Sequence, residues 1–246
     1  MKKLKFFYLR NQMLVANVIA NLIGVFLAFA LIYRAEPFPK ELFDNPIIYW
    51  TDALFDPFAF SFVIVMTLLY EKPIRHYLNA LSRRTSIPQD LKLKARQRLL
   101  NEPFVLIALD FSIWVLWAIV WSTIHWAYDS GTQLVQRSLY NGLSIGLITV
   151  TVAFFFLEHL LQKRLAPYFF PDGGLSAIPK TMGIRIRTRL VALLFACNLI
   201  PLISIILILN RILGSQHEPA LALAKLQSAI SINVLIFIGV GICLTI

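Results

Sequence analysis

The sequence predicts an all-α integral membrane protein: a six-transmembrane-helix bundle with its N and C termini cytoplasmic. Three observations predict it. Hydrophobic residues make up 58% of the 246 residues and charged residues only 15%, against about 45–50% and about 25% in soluble domains. The apolar residues gather into six runs, each close to the roughly 20 residues that a helix needs to cross a bilayer. The basic residues concentrate in every second segment between those runs.

In order, the predicted spans are 13–33, 54–70, 103–128, 139–161, 190–209 and 229–246, forming one membrane domain over 1–246. Lipid offers no partner to backbone N–H and C=O groups, so runs of this length must be helical. The first span has a basic start and a possible signal-peptidase site at Ala28-Phe29-Ala30, but its apolar run continues through Tyr33, which favours a retained helix. The segment before the second span is rich in proline and acid (Glu36, Pro37, Glu41, Asp44) and too small for an independent sensor domain. Asp56, beside Pro57, reads as an interfacial residue opening the second span. Segments 71–102 and 162–189 read as cytoplasmic loops, with 88–100 as a short basic helix ended by Pro103. Both loops carry Ile-Pro (Ile87-Pro88 and Ile178-Pro179) ahead of alternating basic residues, a pattern that internal duplication or topology alone would produce. Pro171-Asp172-Gly173-Gly174 reads as a turn. The sixth span reaches Ile246 with no Lys or Arg beyond it, which predicts that the natural chain continues past residue 246.

Orientation follows from charge. Of the 23 Lys and Arg residues, four precede the first span, eight lie between the second and third, and six between the fourth and fifth. The alternate segments hold Arg34, Lys40, Arg137, Arg211 and Lys225. This alternation is the positive-inside pattern of a multi-pass protein of the bacterial cytoplasmic (inner) membrane. The net charge of +10 is therefore topogenic, and anionic membrane lipids are its expected partner. Nucleic acid is not an expected partner, because no recognition motif accompanies the charge.

Polar groups inside a membrane are costly and mark candidate sites. Counted from the cytoplasmic end of each span, Asn17, Asp110 and Asn198 fall at similar depth, roughly 10 Å inside the inner leaflet at about 1.5 Å per residue. They are expected to form one intramembrane polar cluster, serving as a structural clamp or as a protonation or ion switch. Trp114, Trp117, Trp121 and His125 recur at helical spacing on one face, which either packs against neighbouring helices or walls an unknown apolar or lipid ligand. Pro201 is a candidate kink in the fifth span.

Other chemistry finds no residues to carry it. Cys197 and Cys243 lie in the last two spans, without metal-ligand spacing or a disulfide framework. His125 and His159 are expected roughly 25–30 Å apart in depth, too far to ligate one haem. No P-loop, dinucleotide fingerprint, nucleophile elbow or zinc motif occurs, so no catalytic, cofactor-binding or metal residue is expected in this region.

The stretch Phe155-Phe156-Leu157-Glu158-His159-Leu160-Leu161-Gln162-Lys163-Arg164-Leu165-Ala166-Pro167, then Phe170-Pro171, then Arg185-Ile186-Arg187-Thr188-Arg189-Leu190 and a span containing Pro201, is more specific. It resembles the N-terminal six-helix membrane region that precedes a HAMP linker and a class III adenylate/guanylate cyclase domain in bacterial receptor-type cyclases. The resemblance implies a homodimer and a sixth helix feeding a HAMP coiled coil. It also implies a cytoplasmic output that makes cyclic nucleotide with a divalent metal. The residues that bind that metal and perform catalysis in the family have no counterparts here. The expected role is a membrane anchor, sensor and dimerisation domain in cyclic nucleotide signalling. The alternatives are the membrane sensor of a histidine kinase or other output, or a small transporter or channel subunit.

Overall fold

The computed structural model describes residues 2–29, 44–128 and 131–171, with isolated positions between 223 and 234. The predicted fifth span, with Asn198 and Pro201, lies outside the described residues, as do the second Ile-Pro motif and all but isolated positions of the sixth span. The regular structure described is entirely helical: α1 (Lys2–Phe29), α2 (Pro46–Arg83), α3 (Gln89–Ala127), α4 (Thr132–Leu160), a π-helical turn (Leu161–Leu165) and α5 (Ala166–Phe169). Four of these helices are long and apolar enough to cross a membrane.

The helix ends follow local chemistry. Asn45 caps α2 by accepting a hydrogen bond from the Ile47 N–H at 2.9 Å, and Pro46 occupies the first turn, where its missing N–H costs nothing. At the other end Arg84 turns left-handed (φ 55°) and its N–H reaches back to the Ala80 and Leu81 carbonyls, closing the helix without a glycine. Residues 85–88 then carry the chain into α3. Beyond α4, Pro167 has no N–H to offer the helical ladder. Just before it the helix widens, and the Ala166 N–H reaches back five residues to the Leu161 carbonyl.

Helices α2 and α3 correct the expected boundaries. They contain 38 and 39 residues, about 57–59 Å at roughly 1.5 Å per residue and nearly twice the hydrocarbon thickness of a bilayer. Segment 71–102 is thus not a loop but two helical arms joined by a short connection. The helix expected over 88–100 does not end at Pro103; α3 runs straight through it. Asp56 and Pro57 do not open the second helix, which begins about three turns earlier at Pro46. Part of segment 162–189, as far as Phe169, is also helical.

A helix survives an internal proline when another group takes up the carbonyl it frees. Pro73 frees the carbonyl four residues earlier, at Leu69. The Arg98 guanidinium, from α3, donates to that carbonyl at 3.4 Å and to the Tyr70 carbonyl at 2.7 Å. Tyr70 returns the contact, its hydroxyl donating to the Arg98 carbonyl at 3.1 Å, and the guanidinium lies 5.1 Å from the Tyr70 ring centre. This reciprocal clasp fixes the two arms in register where both helices carry proline.

The four long helices form a ring: α1 packs on α2, α2 on α3, α3 most extensively on α4, and α4 back on α1. Gly142 and Gly146 of α4 make the α3 contact close. A Cβ on Gly146 would stand 2.6 Å from Trp114 Cβ, and one on Gly142 2.7 Å from Ala118 Cβ. Small residues four apart let membrane helices approach backbone to backbone. At the basic end the core continues beyond the apolar zone: Met13, Tyr77, Leu78, Leu99, Leu165 and Phe169 are buried together, with the Tyr77 and Phe169 rings 4.5 Å apart. In the apolar zone, α2 instead exposes Trp50, Leu54, Phe58, Phe62 and Leu69, a stripe suited to lipid.

Candidate functional site

Among the described residues, two of the buried polar layers inside the ring involve carboxyl groups. The upper one joins α1 to α3 diagonally across it. Asn17 and Asp110 are both fully buried, and Asn17 Nδ2 donates to Asp110 Oδ1 at 3.2 Å. Asn21, one turn along α1, donates to the Asn17 carbonyl at 3.1 Å. The expected pairing of Asn17 with Asp110 is therefore present. Asn198 lies outside the described residues.

The structure divides the aromatic face of α3. Trp114 sits between Gly24 of α1 and Gly146 of α4. Trp121 and His125 are buried, with ring centres 5.8 Å apart. Near them Ser122 Oγ donates to the Val135 carbonyl of α4 at 3.1 Å. Trp117 stays partly exposed and, with Trp114, reaches a narrow cleft lined also by Asn21, Phe55, Asp56 and Phe60. The cleft has about 40 Å³ of free space, room for a water or two and far below the roughly 300–1,000 Å³ of small-molecule pockets. As folded, these side chains are helix packing, and an apolar ligand would have to part α2 from α3.

The lower layer was missed in the sequence because its members stood in a presumed loop. Glu71 closes the apolar run of α2 and Glu102 precedes that of α3, and both are almost completely buried. Their carboxyl groups lie within hydrogen-bonding reach of each other. Arg75, one turn along α2, forms a salt bridge to Glu71, its Nε donating to Glu71 Oε2 at 2.6 Å. Its Nη1 donates to Asn11 Oδ1 of α1 at 2.9 Å. Buried Gln12 lies next along α1, and buried Thr67 one turn before Glu71. The sequence signal was the pairing of each acid with a nearby proline, Glu71-Lys72-Pro73 and Glu102-Pro103, at the two edges of apolar runs.

Among the described residues, no three His, Cys, Asp or Glu side chains gather closely enough to hold a metal ion. Comparison with protein-family models, curated proteins and solved structures returned no match. Fold and site together define a class: a helical chain whose described residues include four apolar helices of membrane-crossing length with acidic side chains packed between them.

Proposed function

We propose that this chain is the six-helix membrane domain of a signalling protein of the bacterial cytoplasmic membrane. It anchors, dimerises and senses, passing a membrane or lipid-phase signal through its sixth helix to a HAMP linker and a nucleotide cyclase domain. Its amino terminus and basic arms face the cytoplasm. The observation that best supports this reading is the continuity of α2 and α3. Each runs unbroken from the apolar zone into a packed arm at the basic end. A shift in packing around Asp110 would travel along such helices as a rigid displacement rather than fade in a loop. The sequence resemblance over about 154–202, on the same chain, suggests the cyclase as the output.

The test is cyclic AMP and cyclic GMP in cells expressing the full gene, beside an Asp110→Asn variant at equal membrane abundance. Cyclic nucleotide above the empty-vector level, altered by the substitution, is expected. Vector-level nucleotide in both sinks the cyclase reading. A second reading, a small transporter or channel subunit, is favoured by the buried Glu71–Glu102 pair, since intramembrane acids commonly line ion paths. Flux across proteoliposomes containing the purified chain distinguishes it.

A further inference from the structure

The lower layer has an unbalanced set of hydrogen-bonding groups. Glu71 and Glu102 face each other, yet among the described residues neither Glu102 oxygen has a hydrogen-bond donor, and Glu71 Oε1 has none either. Among the described residues, the salt bridge of the layer is that of Arg75 to Glu71 Oε2. Two ionised carboxylates in contact are acceptors only, and burying the second without a donor or counter-charge is strongly unfavourable.

Among the described residues, the surrounding groups do not supply the missing charge. From α1, Asn11 is taken by Arg75, Gln12 is neutral, and Arg10 donates to Asn79 Oδ1 at 3.2 Å. From α2, Tyr70 points its hydroxyl at the Arg98 carbonyl. From α3, the Arg98 guanidinium is spent on the Leu69 and Tyr70 carbonyls. From α4, Ala153 and Leu157 complete the same core. Gln12 and the Thr67 hydroxyl are buried with polar atoms that have no partner. Among the described residues the layer is thus polar and one positive charge short.

We propose that Glu71 and Glu102 form a two-carboxyl site that binds a single proton, shared between Glu102 and the free oxygen of Glu71. With the proton in place, one carboxyl donates and the other accepts, and Arg75 balances the charge that remains. Arg75 is the exposed rim of the layer, its side chain 17% accessible against 2% for Glu71. The proton therefore exchanges with water at the basic end of the bundle. The site lies at the junction of the apolar zone with the arms, beside Pro73 and Pro103. Its occupancy sets how α2 and α3 meet there. The inference stands whether the output is a cyclase or not.

Infrared spectroscopy of the purified chain in detergent, titrated upward from neutral pH, tests it. The expected result is a carboxylic-acid C=O band that shifts in D₂O and vanishes as one event on raising the pH. It persists in Asp110→Asn and is lost in Glu102→Gln, which keeps the side chain's shape. Glu102→Asp, a second variant that keeps the acid but shortens its reach, should lose the band at lower pH than the wild type. Identical spectra for the wild type and Glu102→Gln across the titration overturn the proposal. So does a carboxylate band that moves on adding Na⁺ or Mg²⁺ with no acid band, which would make the site a cation site. An unaltered titration in Glu102→Asp overturns it as well.

Discussion

Asp110 shows how much one side chain can decide inside an apolar bundle. Its hydrogen bond from Asn17 is buried and spans the ring, so removing one partner strands the other. An unsatisfied buried polar group costs about 1–3 kcal/mol. Asp110→Ala should therefore destabilise the bundle by about that amount, measured as reversible unfolding in mixed micelles, whereas Asp110→Asn should cost less because it can still accept from Asn17. The double substitution Asn17→Leu with Asp110→Leu should recover most of the loss, since neither polar group is then left alone. If Asp110→Ala unfolds no more easily than the wild type, the pair is not a clamp. This contact was legible in the sequence because a carboxylate and an amide stand out in apolar runs and their depths could be counted. The Glu71–Glu102 contact was not. Both acids sat at run edges beside basic residues, and only the helical register of two unseen arms brings them together.

At the scale of elements, prolines misled the reading and glycines were passed over. Pro57 and Pro103 read as boundaries, yet both lie inside helices, as does Pro73. The arms had their own signal, buried Ile74, Tyr77 and Leu78 on α2 and Ala95 and Leu99 on α3 at helical spacing, but high charge masked it. The clasp at Pro73 can be tested by a double-mutant cycle. Arg98→Met alone leaves the Leu69 and Tyr70 carbonyls without their donor and should cost about 1–3 kcal/mol. Pro73→Ala restores an N–H for the Leu69 carbonyl, so Arg98→Met should cost clearly less in that background. Equal costs in both backgrounds would show that the guanidinium does not compensate for the proline. The close α3–α4 crossing makes a second demand. Gly146→Leu drives a side chain into Trp114 and should cost about 1–3 kcal/mol or more by overpacking. Gly131→Ala, at an open position ahead of α4, meets no neighbour; any cost there would come from its positive φ alone. Tryptophan fluorescence during unfolding reads both, and a Gly146→Leu protein as stable as the wild type would mean the helices do not touch there.

For the whole molecule, solvent decides which side chains turn inward. The same four helices meet lipid along one part of their length and water along another, and the boundary shows in what they bury. In the apolar zone α2 leaves large hydrophobic side chains outside, while at the basic end α2 and α3 turn theirs inward against Leu165 and Phe169. Cation–π contacts of Arg10 with Phe7, Arg96 with Phe170 and Arg98 with Tyr70 belong to that basic end, where guanidinium groups lie over aromatic rings. Anionic headgroups would find a collar of Lys92, Lys94 and Arg83 at the same level, each near-surface charge adding about 1 kcal/mol of attraction. On the proposed reading, the α2–α3 connection faces the cytoplasm and the α3–α4 connection the opposite side. Single cysteines test this in a background with Cys197 and Cys243 replaced by serine. Ser86→Cys, between the arms, should resist a membrane-impermeant maleimide in intact spheroplasts and react after permeabilisation. Gly131→Cys, ahead of α4, should react in both. Reaction of Ser86→Cys from outside would invert the molecule. The Glu71–Glu102 layer would then exchange protons with the exterior, and α2 and α3 could not carry a signal from the membrane to a cytoplasmic domain.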